Sequence, residues 1–263
     1  VVPAAAAVGR HPHLAEPAAP GTVRVDLHSH TMWSGDSTTT PDELARAVAE
    51  SGLDVVCITD HNAIVGAQRV AGELPCRVVV GEELRTTAGE LIGLFLRERV
   101  PVGVTPVEAA QRIRDQGGIV YVPHPFDPMR RNLSERALRD LAERGLLDAI
   151  EVLNSKTSLP SLNARAAEFA AEFDLAAGAG SDAHVPDAIG AAFVEMPDFA
   201  SPAEFLAGLR TGRVRGHHWD EPRPWSPRIV PSTSATGSAV VSGSGAASAP
   251  ASASGSHTGP SRS

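Results

Sequence analysis

The sequence predicts an α/β protein whose parallel sheet closes into a barrel, and three observations predict it. Short apolar runs alternate with amphipathic helical patterns across residues 22–216, the signature of repeated βα units. Polar clusters recur at the ends of those runs: His28/His30, Asp60/His61, Glu83, His124, Glu151/Asn154 and Asp182/His184. Barrels collect their functional groups at C-terminal strand ends, whereas an open doubly wound sheet gathers its site at one switch point. Finally, 263 residues at 42% apolar composition suffice for one full core with a tail.

The elements follow in order. Val23–Leu27 reads as a strand, and Pro41-Asp42-Glu43 opens a helix with an apolar stripe of Leu44, Ala47, Val48 and Leu53. Val55–Thr59 is a second strand, with a weaker helix over 63–71. Arg77–Val80 and Leu91–Leu96 read as strands joined by a turn at Ala88-Gly89. Val107–Gln116 is a helix stopped by Gly117-Gly118, and Ile119–Val122 the next strand. Ser134 caps a helix that Gly145 ends. Ala149–Leu153, a helix over 162–173, Leu175–Ala179, Ala191–Glu195 and a helix from Pro202 to Leu209 complete the series.

Both ends differ in composition. Residues 1–21 are Ala- and Pro-rich, with Pro3, Pro12, Pro17 and Pro20 interrupting any helix, so a flexible lead-in is expected. Its His11 and His13 are expected to be solvated, because Pro12 separates them and no apolar run precedes them. Residues 217–263 read as a disordered tail: positions 231–263 hold eleven Ser and almost no large apolar side chain, too little to offset the entropy of ordering. His217, His218 and Trp219 stand at its edge as surface or packing residues. The barrel domain is thus expected over 22–216.

Net charge is −8, which argues against stable, non-specific nucleic-acid binding through phosphates. Two cysteines without a CxxC spacing, Cys57 and Cys76, make neither a disulfide framework nor a thiolate metal site. No apolar stretch approaches the roughly 20 residues that span a bilayer, and the N-terminal segment lacks the basic start and apolar centre of a secretory signal. A cytoplasmic protein without a membrane partner is expected; oligomeric state is not legible.

The chemistry lies in five ordered motifs: Asp26-Leu27-His28-Ser29-His30, Thr59-Asp60-His61, Gly81-Glu82-Glu83, Pro123-His124-Pro125 and Gly180-Ser181-Asp182-Ala183-His184. Residues i and i+2 of a strand face the same way, about 7 Å apart, so His28 and His30 can close on one metal ion, as can Asp182 and His184. Mixed imidazole and carboxylate donors suit zinc, manganese or iron better than calcium or magnesium. By the same alternation Asp26 shares the face of His28, where a carboxylate would fix the tautomer of a ligating imidazole. Asp60 reads equally as a capping residue or a direct participant. Glu151 and Asn154 are expected to orient ligands or substrate.

This order of motifs resembles the polymerase-and-histidinol-phosphatase (PHP) superfamily of metal-dependent phosphoesterases over roughly residues 22–216. The resemblance implies a distorted seven-stranded, TIM-like (β/α) barrel with two or three divalent ions and hydrolysis of phosphoric esters. Carried onto this sequence, it implies that His28 and His30 hold a first ion with Glu83 and Asp182. Glu83, rather than Glu82, would bridge to a second ion bound by His124. Asp36, His61 and His184 would take a third. Glu90 stands where many relatives place a His ligand, which favours manganese or iron over zinc. Glu83, Asp182 and His184 would form the catalytic core.

Paired ions about 3.5–4 Å apart bind and acidify a shared water, so attack of a metal-bridging hydroxide on phosphorus is the implied mechanism. Arg130, Arg131 and Lys156 are the candidate groups for the substrate's phosphate. The leading expectation is hydrolysis of a small phosphomonoester or nucleotide. The alternatives are a nuclease trimming single-stranded ends, disfavoured by 4% aromatic residues, a non-catalytic metal-binding scaffold, and C–N bond hydrolysis as in related amidohydrolase barrels.

Overall fold

The computed structural model of the chain describes residues 11–14 and 18–219. The tail from residue 220 on, and residues 1–10 and 15–17 of the expected lead-in, lie outside the described residues. Nine strands, β1 Thr22–Ser29, β2 Val55–Ile58, β3 Arg77–Thr86, β4 Gly89–Leu94, β5 Ile119–Val122, β6 Ala149–Asn154, β7 Ala176–Gly180, β8 Ala192–Pro197 and β9 Arg213–Gly216, form one sheet. Their order is β7-β6-β5-β4-β3-β2-β1-β8-β9. Past Gly180 the chain bridges to β1: the Asp182 amide donates to the His28 carbonyl at 2.7 Å and the His30 amide to the Ala183 carbonyl at 2.9 Å. These bonds bring β7 against β1, so β1 to β7 wrap into a nearly closed barrel.

Six helices cover the sheet: α1 Pro41–Ser51, α2 Val65–Val70, α3 Pro106–Asp115, α4 Glu135–Glu143, α5 Pro160–Glu172 and α6 Pro202–Thr211. Their starts are written locally. Thr40 and Glu43 form a reciprocal capping box ahead of Pro41, and Thr105, Ser134 and Ser201 each accept the amide three residues on. Among the described residues no helix is long and apolar enough to cross a membrane.

The core is layered. Val25, Leu27, Val55, Cys57, Leu94, Tyr121 and Val194 belong to one buried cluster with Phe205 and Leu209 of α6. Two further clusters seat α3 to α5 and α1 to α2 on the sheet.

The sheet departs from a uniform parallel barrel in three ways. First, β3 pairs parallel with β2 only over Arg77 to Val80, then antiparallel with β4 over Gly81 to Thr86. Glu82 and Glu83 therefore lie inside a long strand, at the end of its parallel half. The hairpin turn needs Gly89, whose φ is 125° and whose missing Cβ would stand 2.3 Å from the Asn132 carbonyl oxygen. Second, β8 and β9 add an antiparallel edge beside the first half of β1. This raises the count to nine strands against the seven implied by the resemblance. The last strand, Arg213–Gly216, carries no apolar run and is half-exposed, which explains its absence from the sequence pattern. Third, β1 and β6 each slip register near their ends, between Asp26 and Ser29 and between Glu151 and Leu153. Such bulges re-aim side chains at barrel rims.

Residues outside the expected limits of the barrel domain also pack against it at both ends. His11 is buried at 3% exposure and reaches the Asp187 carbonyl with Nε2 at 3.0 Å, and Leu14 is buried in the outer core. His11 and Leu14 are thus part of the packed protein rather than solvated. Trp219 joins the same cluster, its backbone N–H donating to the Ser155 carbonyl at 2.7 Å. Order therefore extends past residue 216, because aromatic and imidazole rings supply the contacts there.

Candidate metal centre

The bulge in β1 sets the site. Leu27 stays in the barrel core, while the buried His28 and His30 turn towards each other with their Nε2 atoms 3.1 Å apart. Glu83 Oε2 lies 3.3 Å from both nitrogens, and Asp182 Oδ1 lies 3.8 and 3.5 Å from them. Atoms bound to one ion at about 2.0–2.2 Å stand roughly 3.0–3.5 Å from each other, so this quartet has the spacing of a coordination shell. The other Glu83 oxygen meets His124 Nε2 at 2.9 Å. A further group forms around Asp36, whose Oδ2 lies 3.3 Å from His61 Nε2 and 3.1 Å from His184 Nε2. The result is three groups with metal-ligand spacing: His28/Glu83/His124, His28/His30/Asp182 and His30/Asp36/His61/His184.

The donor set fits divalent cations on physical grounds. His61 Nδ1 is buried with no hydrogen-bond partner, although Glu83 Oε2 is 3.2 Å away, an arrangement a shared cation satisfies. Burial opposes ionisation throughout, yet the local charges win. Glu83 is held well below the usual carboxylate range by His28 and His61, and Asp36 by His184 and His61. Glu83 and Asp36 in turn push His61 up to about 9 against its burial. Imidazolium here supplies positive charge that the carboxylates demand. His184 goes the other way, to about 3, through burial and the nearby His30 and Lys156. Its neutral ring is the form that ligates metals.

The remaining predicted residues fall into two sets. Glu151 and Asn154 join the centre. Glu151 is fully buried, with Oε1 3.2 Å from His28 Nδ1, and Asn154 Nδ2 lies 2.9 Å from Glu151 Oε2 and 3.3 Å from Asp182 Oδ2. Glu151, not Asp26, is therefore the carboxylate that lies against His28 Nδ1. The register slip takes Asp26 out of alternation with His28, and Asp26 instead accepts from Ser181 and from the His28 and Gly190 amides. Asp60 belongs to none of the three groups among the described residues; its carboxylate accepts the Thr31 amide at 2.6 Å and hydroxyl at 2.7 Å. Burial outweighs these bonds and lifts both Asp26 and Asp60 to about 6.

Glu90 is buried and lines the cleft, but it belongs to none of the three groups among the described residues. Burial and the neighbouring Glu83 raise its carboxyl. Arg130 lines the cleft and pairs with Asp182 Oδ2 at 3.2 Å. Arg131 also lines it. Lys156 lies behind the ligands, its Nζ 2.8 Å from the Asp182 carbonyl and 2.9 Å from His184 Nδ1. The cleft holds about 460 Å³ and is also lined by Asn62, Arg85 and the exposed Met129.

Two participants escaped the sequence reading. Ser34 Oγ lies 3.0 Å from His30 Nδ1 and accepts the His61 amide at 3.1 Å. Arg85 shares the Glu83 face of β3, a relation that period-two spacing from Glu83 would have shown.

A barrel that gathers five histidines and three carboxylates into interlocking groups at one rim has the donor set of a metal-binding protein. Comparison with known proteins narrows the class. Residues 26–92 match the PHP domain and residues 160–214 the PHP-associated region. An uncharacterized protein of Methanocaldococcus jannaschii is 38% identical over 146 residues, covering 51% of this chain and 82% of that protein. A second from the same organism is 37% identical over 198 residues, covering 72% and 79%. The chain belongs to the PHP domain family. Its fold is similar to that of a two-domain Bacteroides vulgatus protein containing a predicted PHP-like metal-dependent phosphoesterase. The TM-score is 0.60 at 20% identity, over 76% of this chain and 67% of the other.

Proposed function

We propose that this chain is a metal-dependent phosphoesterase that hydrolyses a small phosphomonoester or nucleotide. The observation that carries the reading is ligand sharing: His28, His30 and Glu83 each stand within reach of more than one group in a single cleft. His28, His30, Glu83 and Asp182 would hold one divalent ion, Glu83 and His124 a second, and Asp36, His61 and His184 a third. Manganese, iron or zinc suits this nitrogen and carboxylate set. Such ions, when bound, lower the pKa of a coordinated water and neutralise charge growing on phosphate oxygens.

The chain's own residues supply the rest. Arg85 and Arg131 stand on the cleft wall, where guanidinium forks can take phosphate oxygens the ions leave uncovered. Arg130 balances Asp182 while facing the same space. Six of the eight candidate ligands, His28, His30, Glu83, His124, Asp182 and His184, are buried, which strengthens their charge–charge contacts by excluding water. Among the described residues no Phe, Tyr or Trp lines the cleft, so base stacking of a nucleic-acid strand finds little platform there. A phosphorylated small molecule met in the cytoplasm fits this reading better than a polymer or a membrane.

The test is hydrolysis of a panel of phosphomonoesters, nucleotides and short oligonucleotides by purified protein, stripped with EDTA and reloaded with manganese, iron or zinc. Activity should vanish on stripping, return on reloading, and be competitively inhibited by inorganic phosphate. Preferential trimming of oligonucleotides would transfer the reading to a nuclease. No cleavage by the reloaded protein would leave a metal-binding scaffold.

A further inference from the structure

Glu151 sits on β6 beside the bulge and is fully buried. Donors reach it from three sides, and each leads to a different ligand residue. His28 Nδ1 lies 3.2 Å from Oε1. The His124 backbone N–H donates to Oε2 at 2.6 Å. Asn154 Nδ2 donates to Oε2 at 2.9 Å, and the same amide lies 3.3 Å from Asp182 Oδ2. Two of these ligand residues hold backbone conformations that side-chain-bearing residues rarely adopt: φ is 27° at His124 and 49° at Asp182. Such conformations persist only where the surroundings over-determine them.

We infer that Glu151 is a positioning residue that locks the His28/Glu83/His124 and His28/His30/Asp182 groups into one unit. It holds the His28 proton on Nδ1, so that the Nε2 lone pair faces the cleft. It pins the strained His124 backbone. Through Asn154 it also steadies Asp182 with Oδ1 towards the two imidazoles. An ionised carboxylate is the side chain for this position because it only accepts. A glutamine of the same shape fails on one side or the other. If its NH₂ faces His28, the imidazole must accept at Nδ1, and its proton moves to Nε2, where a cation would bind. If the NH₂ turns to His124 and Asn154, it meets two donors and their bonds are lost.

The inference rests on the reading that these groups bind ions, so its test includes a measurement without metal. In metal-free protein with ¹⁵N-labelled histidine, at a pH high enough to leave His28 neutral despite the carboxylates that raise its pKa, NMR should show its single ring proton on Nδ1. Glu151→Gln should either move that proton to Nε2 or shift the His124 amide resonance away from its strongly bonded position. Equilibrium dialysis with manganese or zinc alone should show binding weakened by about 10–100-fold, the usual scale for loss of an outer partner of a metal ligand. Glu151→Asp keeps the charge but shortens the reach. It should preserve the His28 tautomer while still weakening metal binding, and it carries the test if the glutamine variant does not fold. A folded Glu151 variant with unchanged NMR signals and unchanged dialysis would overturn the inference. Absence of ion binding by the wild-type chain would instead strike the proposed function, leaving the NMR result to be read alone.

Discussion

Glu82 and Glu83 are neighbours on β3 that face opposite environments. Glu83 turns into the cleft, with one oxygen 2.9 Å from His124 and the other 3.3 Å from both His28 and His30. Glu82 turns outward beneath the following loop, where one oxygen accepts the Val100 amide at 2.8 Å and the other has no partner. Strand alternation alone produces this division. Glu83→Gln should therefore lower bound metal per chain and abolish phosphatase turnover, whereas Glu82→Gln should leave both within about twofold, since it removes no cleft ligand. Metal analysis of the two purified variants reads the difference, and a dead Glu82→Gln with an active Glu83→Gln would mean the strand register is wrong.

Glu82 also gives a pH dependence. Burial lifts its carboxyl from the ordinary 4.5 to about 7, against the opposing effect of the Val100 amide and Arg99. Its folded pKa lies above its unfolded one, so the native state binds the extra proton between those values, and stability falls as pH rises through that window. Above about 7 the loss is complete. Glu82→Gln keeps a neutral side chain at every pH and should escape this loss. Its melting temperature relative to wild type should climb from pH 4.5 to 8. A constant difference across that range would show that Glu82 ionises freely in the folded protein.

The strand–helix order and the ligand motifs were legible because both are local. Ile119–Val122 has the predicted limits, and Ser134 caps its helix as expected. His28, His30, Asp36, His61, Glu83, His124, Asp182 and His184 fall into three groups that share members, because barrel topology brings successive strand ends together. The illegible parts depend on partners distant in sequence. Strand alternation pairs Asp26 with His28, but the slip in β1 breaks that rule. Glu151, 123 positions away, lies against the His28 ring instead. Lys156 looked like a substrate residue in a strand-end loop, but the Asp182 carbonyl and His184 draw it behind the ligands.

The three basic residues near the centre should separate by phenotype. A hydrogen bond to a charged group contributes roughly 1.5–3 kcal/mol, so loss of a phosphate contact raises KM about tenfold or more. Arg131→Ala should do this with metal content intact, since among the described residues its guanidinium forms no ion pair with a candidate ligand. Arg130→Ala should change both quantities, because it also neutralises Asp182. Lys156→Met should weaken metal binding and lower kcat with little change in KM, because Lys156 holds Asp182 and His184. Steady-state kinetics alongside metal analysis distinguishes the three, and an increase in KM alone for Lys156→Met would restore it to the substrate.

The small residues of β7, Ala-Ala-Gly-Ala-Gly over 176–180, let the centre assemble. A Cβ on Gly180 would stand 2.3 Å from His28 Cβ, 3.0 Å from the His28 nitrogen and 2.6 Å from Glu151 Oε1. None of these atoms can yield without moving the imidazole or the carboxylate that orients it. Gly93 offers a comparison away from the ligands: its Cβ would meet Ile113 Cγ1 at 2.9 Å and Leu96 Cδ1 at 3.1 Å, side-chain atoms of the outer core. Overpacking costs about 1–3 kcal/mol in either place. Both Gly180→Ala and Gly93→Ala should therefore lower the melting temperature, by roughly 2–4 °C per kcal/mol for a domain of this size. Only Gly180→Ala should also release metal and slow hydrolysis, because only there does the added methyl displace His28 and Glu151. Equal metal content in the two variants would show that the His28–Glu151 pair tolerates displacement and that β7 serves packing alone.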